Sequence, residues 1–369
     1  MDFITKVRHL TYNDFTVSDY SDDEKDLYHA SKAFLASDEK QAEEIAKKIY
    51  LSTADMEIKN TVRHFLYCLL VRQERFSELP QFDIPNNTEE EIVISLLSSL
   101  DTTAKTTNNY DCLELLPHPF EQLFITVQIN SVDVVMLIDT GCQLTTISET
   151  TAQKCNITAN TDATDSYNTY GEKISVYIAP VNCLSIGKST FYNSACTVVP
   201  DSMITIDDVT IDGILGWETI SKLKWEFDMK QKKVIISAPK NADLIRNLVY
   251  DQFLMVTVNV DGKKMTMGMD TGASHTQFGT VLSDIFSDCE EENITTSGAG
   301  SSREERVYVI PRVSLSIGDG AVQLENVNML ADYESCASKF FITPGVLGFD
   351  IAKDKTMTID WFNRHLSVR

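Results

Sequence analysis

The sequence predicts a mainly β protein with an α-helical N-terminal domain, its β portion built as two copies of one unit. Three observations carry this. Apolar residues recur at helical spacing from the N-terminus to Leu100. Beyond a stretch rich in Thr, Asn, Asp and Pro, Asp101 to Pro119, the pattern becomes short alternating runs of β-branched residues separated by turn residues. Within that β portion the same landmarks occur twice, in the same order.

The helical portion divides into Ser21 to Ala36, Asp38 to Leu51 and Ala54 to Glu78. Their apolar faces are Leu27, Ala30 and Phe34, then Ala42, Ile45 and Ile49, then Val62, Phe65 and Leu69. Ser37-Asp38 supplies an N-cap for the second, followed by an acidic first turn. Glu89 to Leu100 is expected to form a fourth helix. The array is loosely similar to tetratricopeptide repeats, but no 34-residue period accompanies it.

Each copy of the β unit opens with a hairpin. Gln122 to Asn130 and Val132 to Ile138 flank a turn at Asn130-Ser131, and Phe253 to Val260 and Lys263 to Met269 flank Asp261-Gly262. The first hairpin leads into Met136-Leu137-Ile138-Asp139-Thr140-Gly141-Cys142, the second into Met267-Gly268-Met269-Asp270-Thr271-Gly272-Ala273. Further on stand Asp212-Gly213-Ile214-Leu215-Gly216-Trp217 and Pro344-Gly345-Val346-Leu347-Gly348-Phe349. Gly213 lies 74 residues beyond Asp139 and Gly345 lies 75 beyond Asp270. Both copies place an Ile-Gly turn between these landmarks, Ile186-Gly187 and Ile317-Gly318. Both end in a strand pair, Lys224 to Ser237 and Thr356 to Val368. The expected boundaries are 1–105 for the helical domain, 106–245 for the first β unit and 246–369 for the second.

At these residues the chain resembles the aspartic peptidases of the retropepsin and pepsin superfamily, as a tandem pair of bacterial-type retropepsin-like domains. The resemblance runs from Phe120 to the C-terminus. A single Asp-Thr-Gly is a common turn tripeptide. Two of them, each ending an apolar strand and each followed by hydrophobic-Leu-Gly at equal distance, are specific. The resemblance implies two closed β-barrel lobes about a pseudo-twofold axis, with Asp139 and Asp270 as the catalytic pair. Carboxylates held about 3 Å apart cannot both ionise, so the pair shares a proton. The ionised member would take a proton from water while the protonated one supports the scissile carbonyl oxygen.

The same resemblance assigns supporting roles. Thr140 and Thr271 would interlock across the lobe interface, and Gly141 and Gly272 would let the backbone turn beneath the carboxylates. Ile214-Leu215-Gly216 and Val346-Leu347-Gly348 would pack behind the aspartate loops. Tyr170-Gly171 and Gly298-Ala299-Gly300 are the flap-tip candidates, followed by strands at Lys173 to Ile178 and Arg306 to Ile310. Two flaps fit the symmetric retropepsin arrangement better than the single flap of pepsin-like enzymes. Gln143, Ser274 and His275, next to the aspartate loops, are expected to line substrate subsites. No cofactor or metal is implied. One departure is Cys142, where the family usually has Ala, Ser or Thr.

Composition narrows the partners. The formal charge of -22 argues against tracking nucleic-acid phosphates or adhering to anionic lipid. No apolar run approaches a membrane span, and none of the HExxH, GxSxG or phosphate-loop motifs is present. The 8 cysteines include no CxxC pair and read as mostly reduced, buried residues, although the spacing leaves a disulfide such as Cys183 with Cys196 open. The expected partner is a peptide or protein substrate, with the helices free to dock a further protein. A catalytically silent binding module on the same fold is the alternative. The compartment is left open: cytoplasmic, or periplasmic or secreted if a signal peptide has been removed.

Overall fold

The computed structural model describes residues 1–73, 75–82, 110–118, 122–158, 164–167, 173–206, 209–286, 288–298, 301–330 and 340–369. The helical region comprises α1 (Phe3–Arg8), α2 (Asp22–Leu35), α3 (Glu39–Ser52) and α4 (Met56–Arg72), followed by a 3-10 turn at Phe76–Phe82. Ser21 and Glu24 form a reciprocal capping box at the start of α2, and Asp38 caps α3 through the Gln41 N–H. The short α1 has too few residues to leave a periodic signature. The third expected helix ends at Arg72 rather than Glu78, and the fourth, Glu89 to Leu100, lies outside the described residues.

The apolar stripes read from spacing point inward: Leu27, Ala30, Phe34, Ala42, Ile49, Val62, Phe65 and Leu69 are all buried. The core they enter also contains Val249, Met255, Phe340 and Phe341 from the C-terminal part of the chain. Phe34 meets Phe341 at 5.4 Å between ring centroids, and Phe65 meets Phe340 at 5.0 Å. Glu39 with Arg364, Ser37 with the Leu248 carbonyl and Arg246 with the Ser37 carbonyl tie the same surfaces together.

The β portion contains two six-stranded barrels. The first runs through Phe124–Ile129, Val132–Ile138, Gly213–Leu215, Thr146–Ser148, Ser189–Val199 and Lys173–Ile186. It closes where Gln128 pairs with Ser185 and Ile129 with Leu184. The second runs through Leu254–Val260, Lys263–Met269, Gly345–Leu347, Gln277–Gly279, Gly320–Leu330 and Ser301–Ile317. It closes where Asn259 pairs with Ser316 and Val260 with Leu315. Closure leaves no strand edge within either ring. Asn130 and Ser131, like Asp261 and Gly262, have positive φ, the geometry of the tight hairpin turns that join the opening strands.

A five-stranded sheet joins the halves, in the order Asp111–Glu114, Lys233–Ser237, Lys224–Asp228, Thr356–Asp360 and His365–Val368. Its central pair is antiparallel with Glu226 opposite Thr358, so the final hairpins of the two copies meet about a local twofold. Alternation puts Trp225, Phe227, Met357 and Ile359 on its buried face. Among the described residues the seven cysteines, Cys183 and Cys196 included, are free. No described helix is long and apolar enough to cross a membrane.

Candidate active site

Both aspartates stand where an apolar strand leaves its barrel. Val132–Ile138 and Lys263–Met269 run through the core, and the chain turns at the first polar residue after each. The short strands Gly213–Leu215 and Gly345–Leu347 lie parallel beside them, with Leu215 opposite Ile138 and Leu347 opposite Met269. The aspartate loops hang from these strands: the Asp139 N–H donates to the Leu215 carbonyl (3.1 Å) and the Asp270 N–H to the Leu347 carbonyl (2.9 Å).

The threonines lock the two loops to each other. Thr140 Oγ1 donates to the Met269 carbonyl (2.9 Å) and accepts from the Thr271 N–H (3.0 Å). Thr271 Oγ1 donates to the Ile138 carbonyl (2.8 Å) and accepts from the Thr140 N–H (3.0 Å). Each hydroxyl thus uses its proton and a lone pair across the lobe boundary, and both threonines are buried. Gln122 adds a further crossing through its side-chain amide to the Gly272 carbonyl.

The two carboxyls stand close enough that each alters the other's protonation. Asp139 Oδ1 accepts from the Gly141 and Cys142 N–H groups (2.7 and 3.2 Å), and Asp270 Oδ1 from the Gly272 N–H (2.8 Å). The glycines serve a different purpose from the one expected. Neither has positive φ. A Cβ at Gly141 would lie 2.8 Å from Asp270 Cγ, and one at Gly272 would lie 2.5 Å from Asp139 Cγ. Glycine is therefore required by the opposite carboxyl's close approach, not by the turn itself.

Protein surrounds the pair while leaving it some solvent access. Desolvation, and then the charge of Asp270, lifts Asp139 well above the usual carboxylate range; burial also lifts Asp270. The pair therefore keeps a proton to higher pH than an ordinary carboxyl, and its titrations belong to both groups together. Cys142 contributes nothing from its side chain: the thiol, pushed up in pKa by burial, donates to the Leu144 carbonyl (2.9 Å).

The remaining expected site residues fall as follows. Gln143 is committed through its amide to the Gln252 carbonyl (2.8 Å), and Gln252 in turn touches Cys68 of α4. Ser274 is half-buried and His275 exposed, both directly after the second aspartate loop. Gly298 ends the strand Glu290–Gly298 of a long hairpin in which it pairs with Ser301. Gly300, Tyr170 and Gly171 lie outside the described residues. Among the described residues no cluster of three His, Cys, Asp or Glu side chains could hold a metal.

Sequence reasoning missed a second pair of acids, Glu218 and Asp350, half-buried and bonded to the threonine that follows each aspartate loop. Their signal is in the repeat: each stands two residues after the Leu-Gly, and a threonine, Thr145 or Thr276, stands six after each aspartate.

Residues 125–219, most of the first barrel, match the family model for aspartyl proteases. The match supports an aspartyl-protease relationship for that stretch and a peptidase-type function at the level of the family. Among solved structures, a retropepsin-like aspartic protease from Rickettsia conorii is similar at 19% identity. The match covers 36% of this chain and 96% of that one, with a TM-score of 0.28. No curated protein matches.

Proposed function

We propose that the chain is an aspartic endopeptidase whose Asp139 and Asp270 act as one dyad at the junction of the two lobes. The reciprocal Thr140–Thr271 lock, which holds two facing carboxyls from the two copies, carries this reading. With one proton shared, the ionised carboxyl accepts a proton from a water positioned between the pair, and that water attacks the scissile carbonyl. The protonated carboxyl donates to the carbonyl oxygen as charge develops on it. The proton taken from water then passes to the departing amine, and the dyad returns to its starting state.

Substrate binds as an extended strand, its backbone paired with the flap hairpins and its side chains in alternate pockets. Tyr170, Gly171, Gly298 and Gly300 form the flap tips in this reading, with Ser274 and His275 on the cleft floor. Gln143 braces the first loop instead of meeting substrate, since its amide already serves Gln252. The working unit is residues 106–245 with 246–369, and the helices of 1–105 are its docking or scaffold part. The test is incubation of the purified protein with a peptide library, with and without a statine-type inhibitor. Inhibitor-sensitive cleavage is expected. Tight inhibitor binding without cleavage would instead identify a silent peptide-binding module.

A further inference from the structure

Glu218 and Asp350 occupy matching places in the two lobes, and the peptide chemistry proposed above uses neither. Glu218, in the short helix Trp217–Ile220, accepts from the Thr145 N–H (3.0 Å), the Thr145 hydroxyl and the Thr219 hydroxyl (2.8 Å). Asp350 accepts from the Thr276 N–H (2.8 Å) and hydroxyl (2.7 Å). The threonine hydroxyls then accept from the next layer: the Gly216 N–H donates to Thr145 Oγ1 (3.2 Å) and the Gly348 N–H to Thr276 Oγ1 (3.1 Å). Each chain of bonds runs one way, from glycine amide through threonine hydroxyl to carboxylate.

Neither acid has a basic partner at ion-pair distance among the described residues. A carboxylate drawn partly out of water in that position is costly unless fixed donors surround it. Here such donors are present in both lobes, although the acids differ in length by one methylene. Repetition of one hydrogen-bond pattern with different side chains marks the pattern as the thing retained.

The two patterns complete a three-point clamp on each aspartate loop. In the first lobe the Asp139 N–H is held by Leu215, the Cys142 carbonyl by the Trp217 N–H (2.8 Å), and Thr145 by Glu218. In the second the Asp270 N–H is held by Leu347, the Ala273 carbonyl by the Phe349 N–H (2.9 Å), and Thr276 by Asp350. We propose that Glu218 and Asp350 are positioning residues for the dyad, clamping the far end of each aspartate loop so that the two carboxyls keep their facing geometry. The inference rests on the peptidase reading and adds to it the residues that set loop position.

The experiment compares Glu218→Ala with Glu218→Gln and Asp350→Ala with Asp350→Asn, reading kcat and KM separately on a fluorogenic peptide, with circular dichroism to verify folding. The amides keep an acceptor for the threonine N–H and lose the one for its hydroxyl. Misplacement of reacting groups by about 1 Å costs on the order of 100-fold. The Ala variants are therefore expected to lose about 10- to 100-fold in kcat with KM within about twofold, and the amide variants to recover part of it. Folded Ala variants with wild-type kcat would overturn the proposal. Should the Ala variants not fold, the amide variants decide, and a folded amide variant with wild-type kcat overturns it equally. If no variant folds, the acids serve folding, and the positioning role is wrong. A folded wild type without turnover would bring down the peptidase reading itself, and this inference with it. An active wild type with unaffected variants brings down this inference alone.

Discussion

Substituting Asp139 or Asp270 by Asn preserves volume and the hydrogen bond from the following glycine N–H while removing the exchangeable acid. Either change alone is expected to lower peptidase activity by more than about 1,000-fold, within the range of lost acid–base catalysis, with circular dichroism unchanged. Substantial turnover by either variant would disprove the dyad. The same substitution tests stability in the opposite direction. Asp139 titrates higher folded than unfolded, so its contribution is fully present below the unfolded carboxylate range and disappears as pH rises through the folded value. Asp139→Asn is therefore expected to raise Tm at neutral pH, by about 2–4 °C for each kcal/mol relieved, and to lose that advantage in acid. A Tm that falls equally at both pH values would show that the carboxylate is no liability. Activity itself should lie in the weakly acidic to neutral range, because no side chain at position 142 or 273 donates to the ionised pair. Cys142→Ser with Ala273→Ser supplies hydroxyl donors and should move the pH–rate profile toward acid. An unmoved profile would assign the dyad's protonation to other groups.

At the scale of elements, the aspartate loops are held by cross-lobe bonds as well as by their own barrels. Thr271→Val removes a donor from the Ile138 carbonyl and an acceptor from the Thr140 N–H, both in a buried setting. The expected cost is about 2–4 kcal/mol, read as a lower urea midpoint at unchanged slope. A smaller loss would mean that water enters and satisfies the exposed groups. Much of this layer is legible in the sequence. Period-two alternation located the opening hairpins, Asp-Gly and Asn-Ser marked their turns, and the repeated Asp-Thr-Gly and Leu-Gly pointed to the candidate site. What is not legible is pairing between distant segments. Nothing in Lys224 to Asp228 names Thr356 to Asp360 as its neighbour, because backbone ladders carry no side-chain code. Glu218 and Asp350 escaped notice for a related reason: an acid after Leu-Gly reads as a solvated turn residue until the threonine that faces it is known.

Both carboxyls come from one chain, so assembling the pair is a folding event, and activity per molecule is expected to stay constant on dilution. A steep fall with dilution, measured as specific activity across a wide concentration range, would point to a dimer. The helices share an apolar core with residues of the second β unit. Removing residues 1–82 would uncover Val249, Met255, Phe340 and Phe341, each worth roughly 1.5–3 kcal/mol of burial. Against a typical stability of about 5–15 kcal/mol, the truncated chain is expected to aggregate or bind a hydrophobic dye. A soluble truncation with wild-type Tm would make the helices an independent module. Phe34 also waits for Phe341 in time. At about 5–20 residues per second, synthesis needs on the order of 15–60 s to travel from one to the other. Throughout that interval the nascent helices display an apolar face with no cover, a natural client surface for chaperones. For most of the same interval Asp270 has yet to be made, so in the proposed reading a ribosome-bound chain carries no complete dyad to cut its neighbours.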